Sequence, residues 1–248
     1  MRPDRSLGLS PQSFDLSPEL CGLDGALAVG HYSDVPTVFT HAAVGYAAAR
    51  AAGGRRPFPA RILIAATLLP VVPDLDVLLR PWFRYGHPLG HRGISHSLAF
   101  ALFLGVLAAL ACRQDAARVP GGIGGLALLF TTIAASHGIL DALTDGGMGI
   151  PFLMPFDNSR YFFPVRPIPV SPIRVSSLLS DWGLEVLRGE LLLIWPFAAA
   201  AVVWARGRGR ARAAVVLLLA AVGAAAWGQR LGAFAAYAGP GTSWWWGG

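Results

Sequence analysis

Lysine is absent from this 248-residue chain, so all 20 basic residues are arginine, and only two cysteines occur. Cys21 and Cys112 lie far apart, which argues against a disulfide framework and against a thiolate metal site. The glycine-rich stretch GGIGG at 121–125 has neither the lysine nor the Ser/Thr of a phosphate-cradling loop. No nucleophilic triad is apparent, and Ser95, Ser97 and Ser136 read as capping residues or as supports for neighbouring polar groups. Charge is scarce too: 14% of positions are charged against 54% hydrophobic. That is more apolar surface than one water-facing shell can absorb, and it points to a membrane protein.

The apolar residues fall into candidate spans at about 38–52, 60–79, 94–112, 123–143, 190–205 and 213–229, each near the ~20 residues that cross a hydrocarbon core. The first and fifth are short or interrupted. The expected fold is therefore all-α: a polytopic helical membrane protein with about six membrane-spanning or membrane-embedded helices. Residues 1–35 form a polar, proline-bearing tail without the charged, apolar and cleavage-site succession of a signal peptide. His31 and Asp24 lie in that tail and are left out of the site. The terminal GTSWWWGG suits a membrane interface.

Arginine density orients the chain. Arg50, Arg55, Arg56 and Arg61 follow the first span, Arg113 and Arg118 the third, and Arg206, Arg208, Arg210 and Arg212 the fifth. These short, arginine-dense loops share one side, which the positive-inside rule makes cytoplasmic. Thirteen of the 14 acidic residues fall on the other side, Asp115 being the exception.

Against this background six histidines and aspartates stand out. Asp74 and Asp76 lie in PDLD, His91 and His96 in HRGISHS, and His137 and Asp141 in HGILD. Imidazoles and carboxylates from separate segments are what a divalent metal needs to replace several water oxygens. His137 and Asp141 are four apart and share one face of a helix. The i,i+2 carboxylates of PDLD reach one point from an extended or turn backbone, where two metals could share a bridge. Gly93 permits a tight turn into the segment that begins near Ile94. Taken singly, each pair has a plain alternative: a packed histidine, a helix cap or an interfacial turn. With alternating spans, His41, the three pairs and Glu190 all reach the same membrane face, although topology was assigned without them. By the arginine rule that face is periplasmic.

The segments PTVFTHAAVGYA, PDLD, HRGISHS, SHGILDALTDGG and MPFDNSRYFFP together resemble the bacterial membrane-bound metal-dependent hydrolases, the LexA-regulated inner-membrane group, over residues 36–190. The resemblance implies a hydrolytic metal centre and supports His41, Asp74, Asp76, His91, His96, His137 and Asp141 as its residues. A looser similarity, in the HxxxD helix and the His/Asp composition, is to zinc-dependent phospholipase C, which points to phosphoester substrates, lipid ones among them. The expected organisation is thus a tail (1–35), a hydrolase membrane domain (36–190) and a C-terminal membrane anchor region (191–248).

The resulting expectation is a hydrolase of the bacterial inner membrane that activates water on one or two divalent ions. Zinc fits the N/O ligand set best, with manganese and iron also suited. The metal ligands are His41, Asp74, Asp76, His91, His96, His137, Asp141 and Glu190. Asp74 or Asp76 bridges or acts as base, and Arg92 binds the anionic group, with a lipid headgroup contact as its alternative role. The partner is a membrane lipid or lipid-linked substrate, not a nucleic acid. Proline-rich residues 144–189, with Arg160, Arg166 and Arg174, form either a stiff lid that grips phosphate or a surface loop against headgroups. The rival class is a metal or solute transporter, whose site would sit near the bilayer midplane on broken helices.

Overall fold

The computed structural model describes residues 33–35, 37–84, 86–169, 171–172, 179–207 and 209–238. Residues 1–32 of the expected tail, Cys21 among them, Arg174, Arg208 and the tryptophan-rich terminus lie outside them, whereas 33–35, the end of that tail, form a strand. Among the described residues seven α-helices form, α1 (Val38–Gly53), α2 (Ala60–Leu68), α3 (Leu98–Ala111), α4 (Gly122–Ala142), α5 (Asp181–Leu193), α6 (Trp195–Ala205) and α7 (Arg210–Ala238), with three 3-10 helices between them. A short antiparallel pairing joins β1 (Ser33–Val35) to β2 (Ser171–Pro172).

Four segments are long and apolar enough to cross a membrane: Ala60–Leu79, Gly122–Ala142, Asp181–Ala205 and Arg210–Gly232. With the shorter α1 and α3 packed among them, the helices number the six membrane elements expected, since α5 and α6 count as one. Three boundaries differ from the sequence reading, the last helix running on to Ala238 instead of ending near 229. The third element starts at Leu98, because Ile94–His96 forms a separate 3-10 turn and Ser97 caps α3 by accepting from the Phe100 N–H at 3.1 Å. The fifth begins at Asp181, capped by Ser180, which accepts from the Gly183 N–H at 3.2 Å.

Prolines decide two local departures from α-helix. After Leu68 the second span continues as a 3-10 helix over Leu69–Leu79, carrying Pro70 and Pro73. Neither proline has an N–H to close an α-type bond, and the chain tightens to i→i+3 pairing. Between α5 and α6 the helix breaks at Ile194, two residues before Pro196. The Leu193 carbonyl there accepts from Trp227 Nε1 of α7 at 2.8 Å.

Small residues set the closest helix approaches. A Cβ on Gly105 of α3 would lie 2.4 Å from the Thr131 backbone nitrogen of α4, so glycine is what lets these helices touch. Ala49, Ile62, Ala66, Leu126, Phe130 and Ile133 form the apolar core beneath the polar residues. By contrast, the spanning window of α7 is only 6% buried, which leaves its sides to the lipid.

Candidate metal centre

Six of the eight expected ligands form two buried groups. Asp74, His96, His137 and Asp141 make one, and Asp76, His91 and His96 the other, with ligand atoms in each within 4.8 Å of one another. His137 and Asp141, one turn apart on α4, meet with Nε2 3.4 Å from Oδ2. His96 Nε2 is 3.3 Å from the same Asp141 oxygen, and His137 Nε2 is 3.5 Å from Asp74 Oδ1. His41 enters from the first turn of α1, with Nε2 3.3 Å from Asp141 Oδ1 and its ring centroid 4.1 Å from that of His137. All of these side chains are buried.

The aspartates of PDLD do not reach one point. They sit on a 3-10 helix, where a turn takes three residues and positions two apart diverge. Asp74 faces His137 and His96 Nε2. Asp76 faces the opposite nitrogen of His96 at 3.4 Å, and His91 Nδ1 at 2.5 Å. A single imidazole thus lies between the two carboxylates.

Ring orientation is fixed from outside. His137 Nδ1 lies 2.8 Å from the Pro70 carbonyl, which can only accept, so the proton sits on Nδ1 and the Nε2 lone pair faces inward. His96 Nδ1 is held likewise by Asp76, whose Oδ2 also accepts from the Ser95 hydroxyl at 2.5 Å. Such outer partners are what orients metal-ligating histidines. Among the described residues, His96 Nε2, His137 Nε2 and both oxygens of Asp74 and Asp141 have no hydrogen-bond partner. Buried carboxylates that accept no hydrogen bond are costly, and a cation at their focus removes that cost. The donor set therefore fits a divalent metal.

Arg92 and Glu190 are placed differently from the sequence expectation. Arg92 is fully buried in the left-handed region at φ 57°. Its Nη1 donates to the Gly146 carbonyl and its Nη2 to Thr144 Oγ1, both at 3.1 Å, and its Nε is 3.9 Å from Asp141 Oδ2. The tight turn expected at Gly93 thus takes its unusual dihedral one residue earlier. Gly93 is needed for space instead, since a Cβ there would lie 2.3 Å from the Pro88 carbonyl oxygen. Glu190 of α5 belongs to neither metal group. It accepts from the Thr37 backbone N–H, from Thr37 Oγ1 at 2.5 Å and from Thr40 Oγ1 at 2.7 Å. Thr37 makes no side-chain cap of its own at the start of α1, so Glu190 caps that helix from another one. Sequence reasoning missed Thr37, Thr40, Thr144 and the Pro70 carbonyl; hydroxyls and main-chain oxygens carry no distinctive spacing.

Residues 143–169 pack over this end of the bundle. Thr144 bridges to Ile168 and Ile150 to Tyr161, and Leu98 N–H donates to the Phe152 carbonyl. Arg160 pins the loop, donating to the carbonyls of Arg92 at 2.9 Å and Gly86 at 3.3 Å. Arg166 lies over the Phe162 ring at 4.6 Å. At the exposed end, the backbone N–H and hydroxyl of Ser159 hold the Asp157 carboxyl below its ordinary range.

Apolar spanning helices with a buried His/Asp cluster where three segments and a loop meet define a polytopic helical membrane protein with a candidate metal site. Sequence comparison agrees on the class. The chain belongs to the family described as "YdjM inner membrane protein", whose profile matches residues 36–232. It is 35% identical over 162 residues to "Inner membrane protein YbcI" of Escherichia coli (strain K12), an alignment covering 65% of this chain and 91% of that protein. The family match continues well past residue 190, through α6 and most of α7. No solved structure matches.

Proposed function

We propose that the protein is a metal-dependent hydrolase of the inner membrane, acting on a phosphoester, lipid-linked, from the periplasmic face. The supporting observation is the convergence of buried donor atoms without hydrogen bonds on His96, His137, Asp74 and Asp141. These four would hold one ion, with His41 beside them, and Asp76, His91 and His96 mark the place of a second. Zinc suits this set, as do manganese and iron. Such an ion, when bound, polarises an ester oxygen and activates water at neutral pH. The chain's own part is positional: Pro70 and Asp76 aim the imidazoles, Arg92 steadies Asp141, and the Arg160-pinned loop limits access of bulk water. The phosphoester reading draws on the HxxxD likeness to phospholipase C.

A second reading is transport, favoured by the break between α5 and α6 inside one spanning segment. None of the grouped ligands lies on either helix, so hydrolysis is the reading adopted. A panel of aryl and lipid-linked phosphoesters, carboxyl esters and amides decides between them. Turnover is expected to vanish with chelator and return with zinc or manganese. Asp76→Asn, which keeps shape but weakens the hold on His91 and His96, should lower kcat/KM by about 10–100-fold in folded protein. Metal or solute movement across proteoliposomes without any turnover would establish the transporter.

Sidedness has its own test. In a background lacking both native cysteines, cysteine at the 91% exposed Phe156 should react with a membrane-impermeant thiol reagent on spheroplasts. Cysteine at exposed Arg56 should not. The opposite pattern would put the centre on the cytoplasmic face and leave its metal chemistry untouched.

A further inference from the structure

Between α1, α4, α6 and α7 runs a groove of about 320 Å3 with an almost wholly apolar lining. Val44 and Ala48 line it from α1, Leu140 from α4, Ala198 and Ala201 from α6, and Trp227 from α7. One end adjoins the metal centre. Leu140 is the chain neighbour of Asp141, and Val44 lies one turn beyond His41. Ile168, also in the lining, bridges to Thr144, which receives Arg92 Nη2. From Ile194 to Ala201 the groove follows α6 for about 10 Å, at ~1.5 Å per residue.

The helix break lies on the same groove. Leu193 and Ile194, at the interruption, both line it, as does the Trp227 ring that takes up the Leu193 carbonyl. At membrane depth an interrupted helix is stable only where protein satisfies its freed groups or where it borders a cavity. Here the break is sealed by Trp227, and the space beside it stays apolar.

We infer that the groove holds one fatty acyl chain of a phosphate-bearing membrane lipid, with the head group of that lipid at the metal centre. The inference builds on the hydrolase reading and specifies its substrate. Within a spanning bundle the medium that can fill such a groove is hydrocarbon, and its metal-side end places one particular chain beside the ligands. Small side chains at Ala48, Ala198 and Ala201 leave the space between the helices open, so that a hydrocarbon chain can lie along it. Hydrophobic, largely preformed clefts of this size are the usual form of a small-molecule site.

The test uses full-length protein in nanodiscs of phosphatidylethanolamine and phosphatidylglycerol, doped with phosphatidylglycerol carrying a diazirine midway along one acyl chain. After irradiation, crosslinks at Val44–Ala48 and Phe197–Ala201 are expected to exceed those at Leu217 and Leu218, which are 69% and 64% exposed on α7 and meet bulk lipid. Ala198→Phe should cut the groove crosslinks about tenfold by overfilling the space, leaving Leu217, Leu218 and metal content unchanged. Ala201→Leu is a milder filler should the first variant fail to fold. Equal labelling of groove and α7, or labelling indifferent to both fillers, would mean ordinary surrounding lipid and overturn the inference. So would displacement of the probe by polyprenyl phosphate but not by unlabelled phosphatidylglycerol. Crosslinking needs no turnover, so an inactive protein with a labelled groove would refute the hydrolase alone, and active protein with an unlabelled groove the acyl site alone.

Discussion

Purified His137→Ala and Asp141→Ala proteins are each expected to keep less than about a tenth of the wild-type metal content, because each loses a ligand of one four-donor site. Asp141 should be the more damaging. Its two oxygens are shared among His41, His96, His137 and Arg92, so its loss disperses four side chains rather than one. Elemental analysis in detergent reads the metal, and circular dichroism shows whether the helices survive. Wild-type metal content in both folded variants would mean that the cluster is an ion-pair network and not a metal centre.

Arg92→Met is expected to be the most destabilising substitution near the site. Its guanidinium is fully buried, and removing it leaves Asp141 without a permanent positive neighbour and two acceptors, Gly146 O and Thr144 Oγ1, short of a donor. Breaking a buried charge pair from one side costs about 3–5 kcal/mol, a large share of the stability of an ordinary domain. Thermal unfolding in chelator, where no ion compensates Asp141, should show the full loss, and added zinc should recover part of it. Arg92→Lys keeps the charge but not the fork and should fall between. An unchanged melting temperature for Arg92→Met in chelator would remove the clamp role.

The spans and the grouping of ligands were legible in the sequence because both rest on local pattern. Apolar runs of the right length marked the membrane elements, and the four-residue spacing of His137 and Asp141 put them on one helix face. The division of labour in PDLD was not legible, since it depends on a 3-10 backbone set by Pro70 and Pro73, which both precede the two aspartates. Arg92 was read from the sequence as the binder of an anionic group and Glu190 as a metal ligand, not as a clamp and a helix cap. Their partners are carbonyls and threonines up to 153 positions away, and hydropathy has no term for such pairings. The start of the fifth helix was missed because Asp181, Glu185 and Arg188 interrupt its apolar run.

The cap that Glu190 places on α1 also bears on the order in which the protein can be assembled. A nascent chain that has emerged only as far as Ala142 already contains His41 and every histidine and aspartate of the two metal groups. The carboxylate that anchors the start of α1, one turn from His41, lies 48 residues further along the chain than Ala142. The first helix therefore gains its final anchor only after the fifth has entered the membrane. The start of α1 is thus pinned from a part of the chain made after all the residues of both groups.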